Sequence, residues 1–373
     1  MKAINFYFSK KWFFEENLPE AQLVLFFGAK SLLNTSYFKE VRSRFPKAHI
    51  VSCSTAGEII GQEVYDGTIT GTAIFFEKTE IKISFKNIRN FDNSFELGKA
   101  VSDDFKKEKL KHLFIVSDGH IINGSRLLEG ISLDHHDVII TGGLAGDGSS
   151  FESTLVGYNN SIANGNVVTI GYYSESLQVG HASLGGWDEF GPERFITKSK
   201  ENVLYELDDE PALELYKKYL GDKARELPSS ALLFPLSLKQ DDHSAESIVR
   251  TVLSIDNLNN SMTFAGNLPE NKIVRLMKAN FEKLIMASAE AAKMSIKNLK
   301  NQESDLVIYV SCIGRKLILD QRISEEVQEA QKIIGEDVPS VGFYSYGEIS
   351  PYNDALQSPL HNQTMTITTY KEI

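Results

Sequence analysis

The hydrophobic pattern of this chain repeats. Residues 51–54 form a short apolar run ending in small and hydroxyl residues, and it leads into Gly57-Glu58-Ile59. Residues 69–74 then alternate Thr with apolar positions. The same succession returns 290 residues later, where residues 342–346 lead into Gly347-Glu348-Ile349 and alternation resumes at Thr364-Met365-Thr366. Alternation with period two marks a strand with two unlike faces. Two copies of the block argue for an internal duplication. A third, looser copy lies between them: residues 138–140 run into the glycine-rich 142–148, and residues 167–173 read as the next strand.

Each copy has an apolar run upstream, at residues 23–27, 113–116 and 306–312. A helix is predicted between each upstream run and its glycine turn. The clearest covers residues 324–335, with Ser324 as N-cap, Val327 and Ala330 facing inward and Gly335 as the stop. The repeated unit is therefore strand, helix, strand, glycine turn, strand. Apolar runs beside helices imply strands covered on at least one face. The expected fold is α/β, with mixed sheets flanked by helices in two closely packed domains.

The pattern changes near residue 205, which sets the expected domains at 1–205 and 206–373. Residues 211–221 read as an amphipathic helix with Pro at its start and Gly at its end. Residues 232–236 read as an edge strand, because Pro235 cannot donate to a ladder. Residues 252–264 read as a hairpin. A 3.6-residue period predicts the longest helix from Ile273 to about Asn298, its apolar face running through Met277, Phe281, Leu284 and Ile285 before narrowing to Ser288 and Ala292.

Composition narrows the class. The 373 residues are 42% hydrophobic with 22 Phe and 14 Tyr, which supports a large core and argues against disorder. The net charge is −11 with no dense Lys/Arg run, so nucleic acid and anionic membrane are poor partners. No run of 18 apolar residues and no secretory leader appear, so a cytoplasmic protein without membrane insertion is expected. Cys53 and Cys312 each end an apolar run and read as buried free thiols.

Candidate chemistry is dispersed. The glycines of 142–148 lack the Gly-Lys-Ser/Thr of a phosphate loop and the spacing of a dinucleotide fingerprint, so close backbone packing or close approach to a ligand is predicted. The repeated pair Glu58 and Glu348 offers two readings: carboxylates facing a cleft, or side chains that satisfy nearby backbone amides. Asp118 and Asp147 sit at strand ends, where α/β proteins place ligand contacts. Tyr346 lies in the same turn as Glu348. Arg315 is expected to clamp a carboxylate ligand or to pair with Glu348. His135 and His136 read as an exposed loop. His181, near Trp187 and a glycine turn, and His361, in a run of hydrogen-bonding residues, read as structural histidines or as ligand contacts. No Gly-x-Ser-x-Gly elbow accompanies Ser117-Asp118-Gly119-His120, and no spacing forces a reaction class, so no catalytic residue is assigned.

These motifs, in this order, resemble the FIST family of bacterial sensory proteins. The likeness is carried by residues 53–59, 117–119 and 142–148, by Gly186-Trp187, Gly191-Pro192 and residues 206–216, and by residues 311–315, 343–349 and 360–366. It implies an intracellular small-ligand input domain with N-terminal and C-terminal halves. Relatives are fused to kinase, methyl-accepting or cyclic-dinucleotide domains; this chain ends at Ile373, so the stand-alone form is expected, signalling through a separate partner such as a histidine kinase. Some stand-alone relatives are haem-binding nitric-oxide sensors, which would make His181 the first axial-ligand candidate, then His361 and His120. Amino-acid-type ligands are also proposed for the family, with Arg315 then holding a carboxylate and Glu348 or Asp147 an amine.

Overall fold

A computed structural model describes residues 1–14, 20–227, 229–239, 247–351 and 358–373. The three sequence copies are three structural units. In the first, strand Leu23–Gly28 runs parallel to His49–Ser54 across helix Thr35–Arg44, and Ile69–Phe75 lies antiparallel on its other side. The second repeats this with Leu110–Ser117, helix Gly124–His135, Ile139–Leu144 and Asn166–Tyr173. The third uses Leu306–Cys312, helices Ile313–Leu319 and Ile323–Ile334, Ser340–Ser345 and Met365–Glu372. One more antiparallel strand follows in each sheet, formed by Lys2–Phe8, Glu80–Asn87 and Leu177–Leu184 respectively.

The units exchange hairpins in a ring. The hairpin Glu58–Ile60/Glu63–Tyr65 leaves unit one and pairs beside Ser340–Ser345 of unit three. Val156–Tyr158/Ser161–Ala163 leaves unit two and pairs beside His49–Ser54 of unit one. Gly347–Ile349/Leu360–His361 leaves unit three and pairs beside Ile139–Leu144 of unit two. The three glycine turns close the ring: Gly146 donates to the Ser54 carbonyl at 2.9 Å, Tyr346 to Leu144 at 3.2 Å and Ala56 to Tyr344 at 2.8 Å. The fold is thus mixed α/β, as the apolar runs imply. Strands such as Leu23–Gly28 are buried along their whole length, so both faces carry apolar side chains. Phe27 and Phe343 meet at 4.6 Å where sheets one and three pack.

A fourth sheet of eight strands is inserted between Leu177–Leu184 and helix Phe281–Asn298. It has its own core, including Ile196, Leu204, Leu213, Tyr216, Met262 and Phe264. Residue 205 falls inside its strand Val203–Leu207. Helix Ala212–Leu220, ended by Gly221, and the hairpin of Val252–Asp256 with Ser261–Phe264 lie where the sequence places them.

Several expectations are corrected. Residues 273–298 are not one helix: Ile273–Lys278 is a strand paired to Leu236–Lys239 and Asp188–Lys200, and the helix starts at Phe281 behind the Asn280 cap. An apolar stripe does not distinguish the two periods over six residues, and sheet pairing decides. Residues 229–233 form a 3-10 turn, with the strand beginning at Leu236 after Pro235. Ser324 lies within helix Ile323–Ile334 rather than at its cap, although Val327 and Ala330 are buried and Gly335 ends it. His135 is buried at a helix end, with Nε2 3.2 Å from the Ser102 carbonyl.

Candidate functional site

The two Gly-Glu turns build twin cages. Glu58 accepts from the Thr55 hydroxyl and from Thr68, whose amide lies at 3.0 Å and hydroxyl at 2.8 Å. Glu348 accepts from Ser345 Oγ at 2.7 Å and from the Thr364 amide and hydroxyl at 3.1 and 3.0 Å. Both carboxyls are buried and each accepts a backbone amide, and Glu58 also contributes to the wall of the cleft described below. Burial outweighs these donors: it raises the Glu58 carboxyl and pushes Glu348 up to about 8. A folded-state value above the ordinary 4.5 means that the folded protein holds this proton more tightly than the unfolded chain does. The stability from Glu348 is therefore full below about pH 4.5 and is lost as pH rises through about 8. Melting Glu348→Gln beside the parent between pH 5 and 8 should give the variant the flatter profile. Parallel profiles would show that the carboxyl is ionised throughout.

The other candidates separate. Arg315 is not a ligand clamp and does not pair with Glu348. Its fully buried guanidinium binds Glu326 through Nε at 2.8 Å and Nη2 at 2.6 Å, and also the carbonyls of Gly185 and Leu284. Asp118 is buried and shapes its own loop, accepting from the amides of His120, Ile121 and Gly165. Of the glycines in 142–148, Gly142, Gly143 and Gly146 serve close packing, a Cβ at Gly142 (φ +140°) standing 1.9 Å from the Ile115 carbonyl oxygen, whereas Gly148 lines the cleft described below.

The three histidines lie apart. His361 Nε2 is 2.9 Å from the Ser350 carbonyl, and burial lowers its ring to about 4. His181 is on the last strand of sheet three. Its neighbour Gly180 faces helix Phe281–Asn298, so by alternation His181 faces sheet two and His112. Burial lowers the His181 ring to about 4 as well. His120 is exposed on a surface loop. Among the described residues no group of three or more His, Cys, Asp or Glu side chains is placed to hold a metal ion.

What the turns do bring together is a cleft of about 570 Å³ at the junction of the units. Its wall includes Lys30, Gly57, Glu58, Asp66, Asp147 and Ser150. Lys30 of unit one stands 3.6 Å from Asp147 of unit two and 2.5 Å from Ser153 Oγ. Asp147 accepts from the Tyr346 hydroxyl of unit three and from the amides of Glu152 and Ser153. Burial opposes ionisation of Asp147, but the Tyr346 hydroxyl, those amides and Lys30 together hold its carboxyl below the usual range. Lys316 of unit three reaches in from the other side, donating to the Ala56 carbonyl at 2.9 Å and pairing with Asp66.

At the corresponding turn of unit three, Gln363 is held from the inserted region: its side chain donates to the Leu232 carbonyl at 3.4 Å, and Trp187 donates to its carbonyl at 2.9 Å. Asp147 and Tyr346 were legible in the sequence as site residues. Lys30, Asp66 and Lys316 were not, since each is a lone charge outside any motif.

The three α/β units thus meet around a cleft lined by both charged and apolar groups, a concave place of the kind that small ligands occupy. The chain belongs to the FIST family: the FIST N domain model matches residues 22–210 and the FIST C domain model residues 212–351. FIST domains are sensory domains for small ligands in signal transduction rather than catalytic ones. The chain is also similar to an uncharacterized protein, MJ1623, of Methanocaldococcus jannaschii, at 23% identity over 90% of this chain and 71% of the relative. No helix of the described residues is long and apolar enough to cross a membrane.

Proposed function

We propose that this chain is a signalling sensor whose ligand is a small polar metabolite with both an anionic and a cationic group, such as an amino acid. The observation that carries this reading is the meeting of Lys30, Asp66 and Asp147 in one cleft. The Lys30 side chain is 34% exposed and matches a ligand carboxylate. The Asp66 side chain is 75% exposed and matches an amino group. Ser31 and Ser150 line the same space and supply hydroxyls. The occupied sensor acts on a signalling protein, a histidine kinase being the partner class that the family resemblance implies.

His181, His361 and His120 do not fit a haem. An axial imidazole needs a free nitrogen beside an open apolar slot. His361 spends its Nε2 on a carbonyl, His181 lies between two packed sheets, and His120 stands on the surface. A nitric-oxide reading therefore has no axial ligand among these three, and no step is drawn through haem.

Calorimetry and melting against a panel of amino acids test the proposal. A ligand at 100 times its dissociation constant adds roughly 2.7 kcal/mol to stability. Loss of one charged contact costs roughly 1.5–3 kcal/mol, so Lys30→Ala should weaken binding by about 10- to 100-fold. Absence of heat and of a melting shift across the panel, or unchanged affinity in Lys30→Ala, would sink it.

A further inference from the structure

The short helix Ile313–Leu319 carries two neighbouring cations that point to different parts of the molecule. Lys316 reaches two residues of the cleft wall, Ala56 and Asp66. Its Nζ donates to the Ala56 carbonyl at 2.9 Å and pairs with Asp66, and it lies 5.8 Å from the centre of the Tyr344 ring. A glycine is required beneath it: a Cβ on Gly57 would stand 2.6 Å from Nζ and 3.1 Å from the Tyr344 ring. Tyr344 in turn donates to Glu326 at 2.8 Å.

Arg315 faces the other way. Through Glu326 it joins the same network, and its remaining donors take the Gly185 carbonyl at 2.5 Å and the Leu284 carbonyl at 2.8 Å. These two carbonyls mark the roots of the inserted sheet. Gly185 precedes its first strand, Asp188–Lys200, and Leu284 is in the helix that follows its last, Ile273–Lys278. A second contact ties the same roots, the ion pair of Lys283 with Asp188. One guanidinium thus grips entry and exit of the insert, one residue away from the ammonium that holds Asp66 of the cleft wall.

We propose that helix Ile313–Leu319 reports occupancy of the cleft to the inserted sheet, with Lys316 and Asp66 as the latch. This rests on the cleft being the ligand site. The cationic group of a ligand competes with Lys316 for Asp66. Once Lys316 loses that partner, its helix shifts and Arg315 resets its hold on Gly185 and Leu284. Coupling of this kind requires an element whose position both sites bias, and this helix contacts both. The Lys316 side chain is only 14% exposed, so it has little solvent to compensate for the lost pair.

The test is made without ligand. Asp66→Asn and Lys316→Met each open the latch, and Lys99→Met removes an exposed pair elsewhere. All are built on Trp12→Phe, which leaves Trp187 as the sole tryptophan of the two. Amide exchange of residues 185–188 and 281–284 should quicken roughly fivefold in both latch variants, the ratio that about 1 kcal/mol represents. Trp187 emission should shift to the red. Lys99→Met should match the parent in both readouts. Because Asp66 is exposed, Asp66→Asn folds and decides the matter if Lys316→Met does not. Exchange at the parent rate in Asp66→Asn overturns the proposal, and so does acceleration spread evenly over the whole chain. Failure here leaves the calorimetric result standing, and silent calorimetry leaves this result standing.

Discussion

Arg315→Met should destabilise the protein by about 3–5 kcal/mol, read from urea denaturation. The pair with Glu326 is wholly removed from water, both side chains being 0% exposed. Removing the guanidinium leaves a buried carboxylate with only the Ser311 and Tyr344 hydroxyls, and takes a donor from the Gly185 carbonyl. Most of the penalty comes from that stranded charge rather than from the worth of the pair, since isolated buried ion pairs are close to neutral against apolar replacements. Glu326→Leu combined with Arg315→Met should therefore recover part of the loss, and a double-mutant cycle measures how much. The result also separates two roles. A ligand-clamping arginine would leave stability near that of the parent and abolish binding. An arginine that ties the insert to the third unit does the reverse in order, lowering stability first.

The second large effect is expected at Gly142. This residue pairs with Ile115 on one side and Ile349 on the other, where the hairpin from unit three joins the second sheet. An alanine there meets backbone rather than a mobile side chain, with Ile115 O, C and N all within 2.8 Å of the new Cβ. Its φ of +140° is also a region that side chains rarely adopt. Overpacking typically costs about 1–3 kcal/mol, and a strained backbone about 1–3 kcal/mol more. Gly142→Ala should thus lose roughly 2–6 kcal/mol, with the damage at the seam between units two and three. Hydrogen exchange would show it as early opening of Gly347–Ile349. A stability loss below 1 kcal/mol would mean that the seam is looser than its geometry implies.

The sequence carried the repeat because each copy combines signals that local chemistry enforces: a long apolar strand, a helix, a glycine turn and Thr alternation. It did not carry the exchange of hairpins. Glu58–Ile60 looks the same whether it pairs within its own unit or beside Ser340–Ser345, since strand pattern states which face is buried and not which neighbour is bonded. The strand Ile273–Lys278 was hidden for a related reason, being too short for its period to be read before the helix began. The site was half legible. Asp147 and Tyr346 lie in glycine turns and were singled out, although their mutual bond across 199 positions was not visible. The pairing of Arg315 with Glu326 was not visible either, because Glu326 sits on helix Ile323–Ile334, 11 positions on, and buried charges find such partners by packing. Lys30 lines the cleft and Lys316 holds its wall at Ala56 and Asp66 from another unit, and nothing in the neighbouring residues marks either.

The central claim is the place of binding. Amide shifts of the labelled protein, titrated with whichever amino acid gives heat in calorimetry, test it most directly. The perturbed amides should cluster at residues 29–31, 55–58, 66–67 and 147–150, which meet only in this cleft. Shifts centred on His181 or on His361 would place the ligand elsewhere and contradict the account.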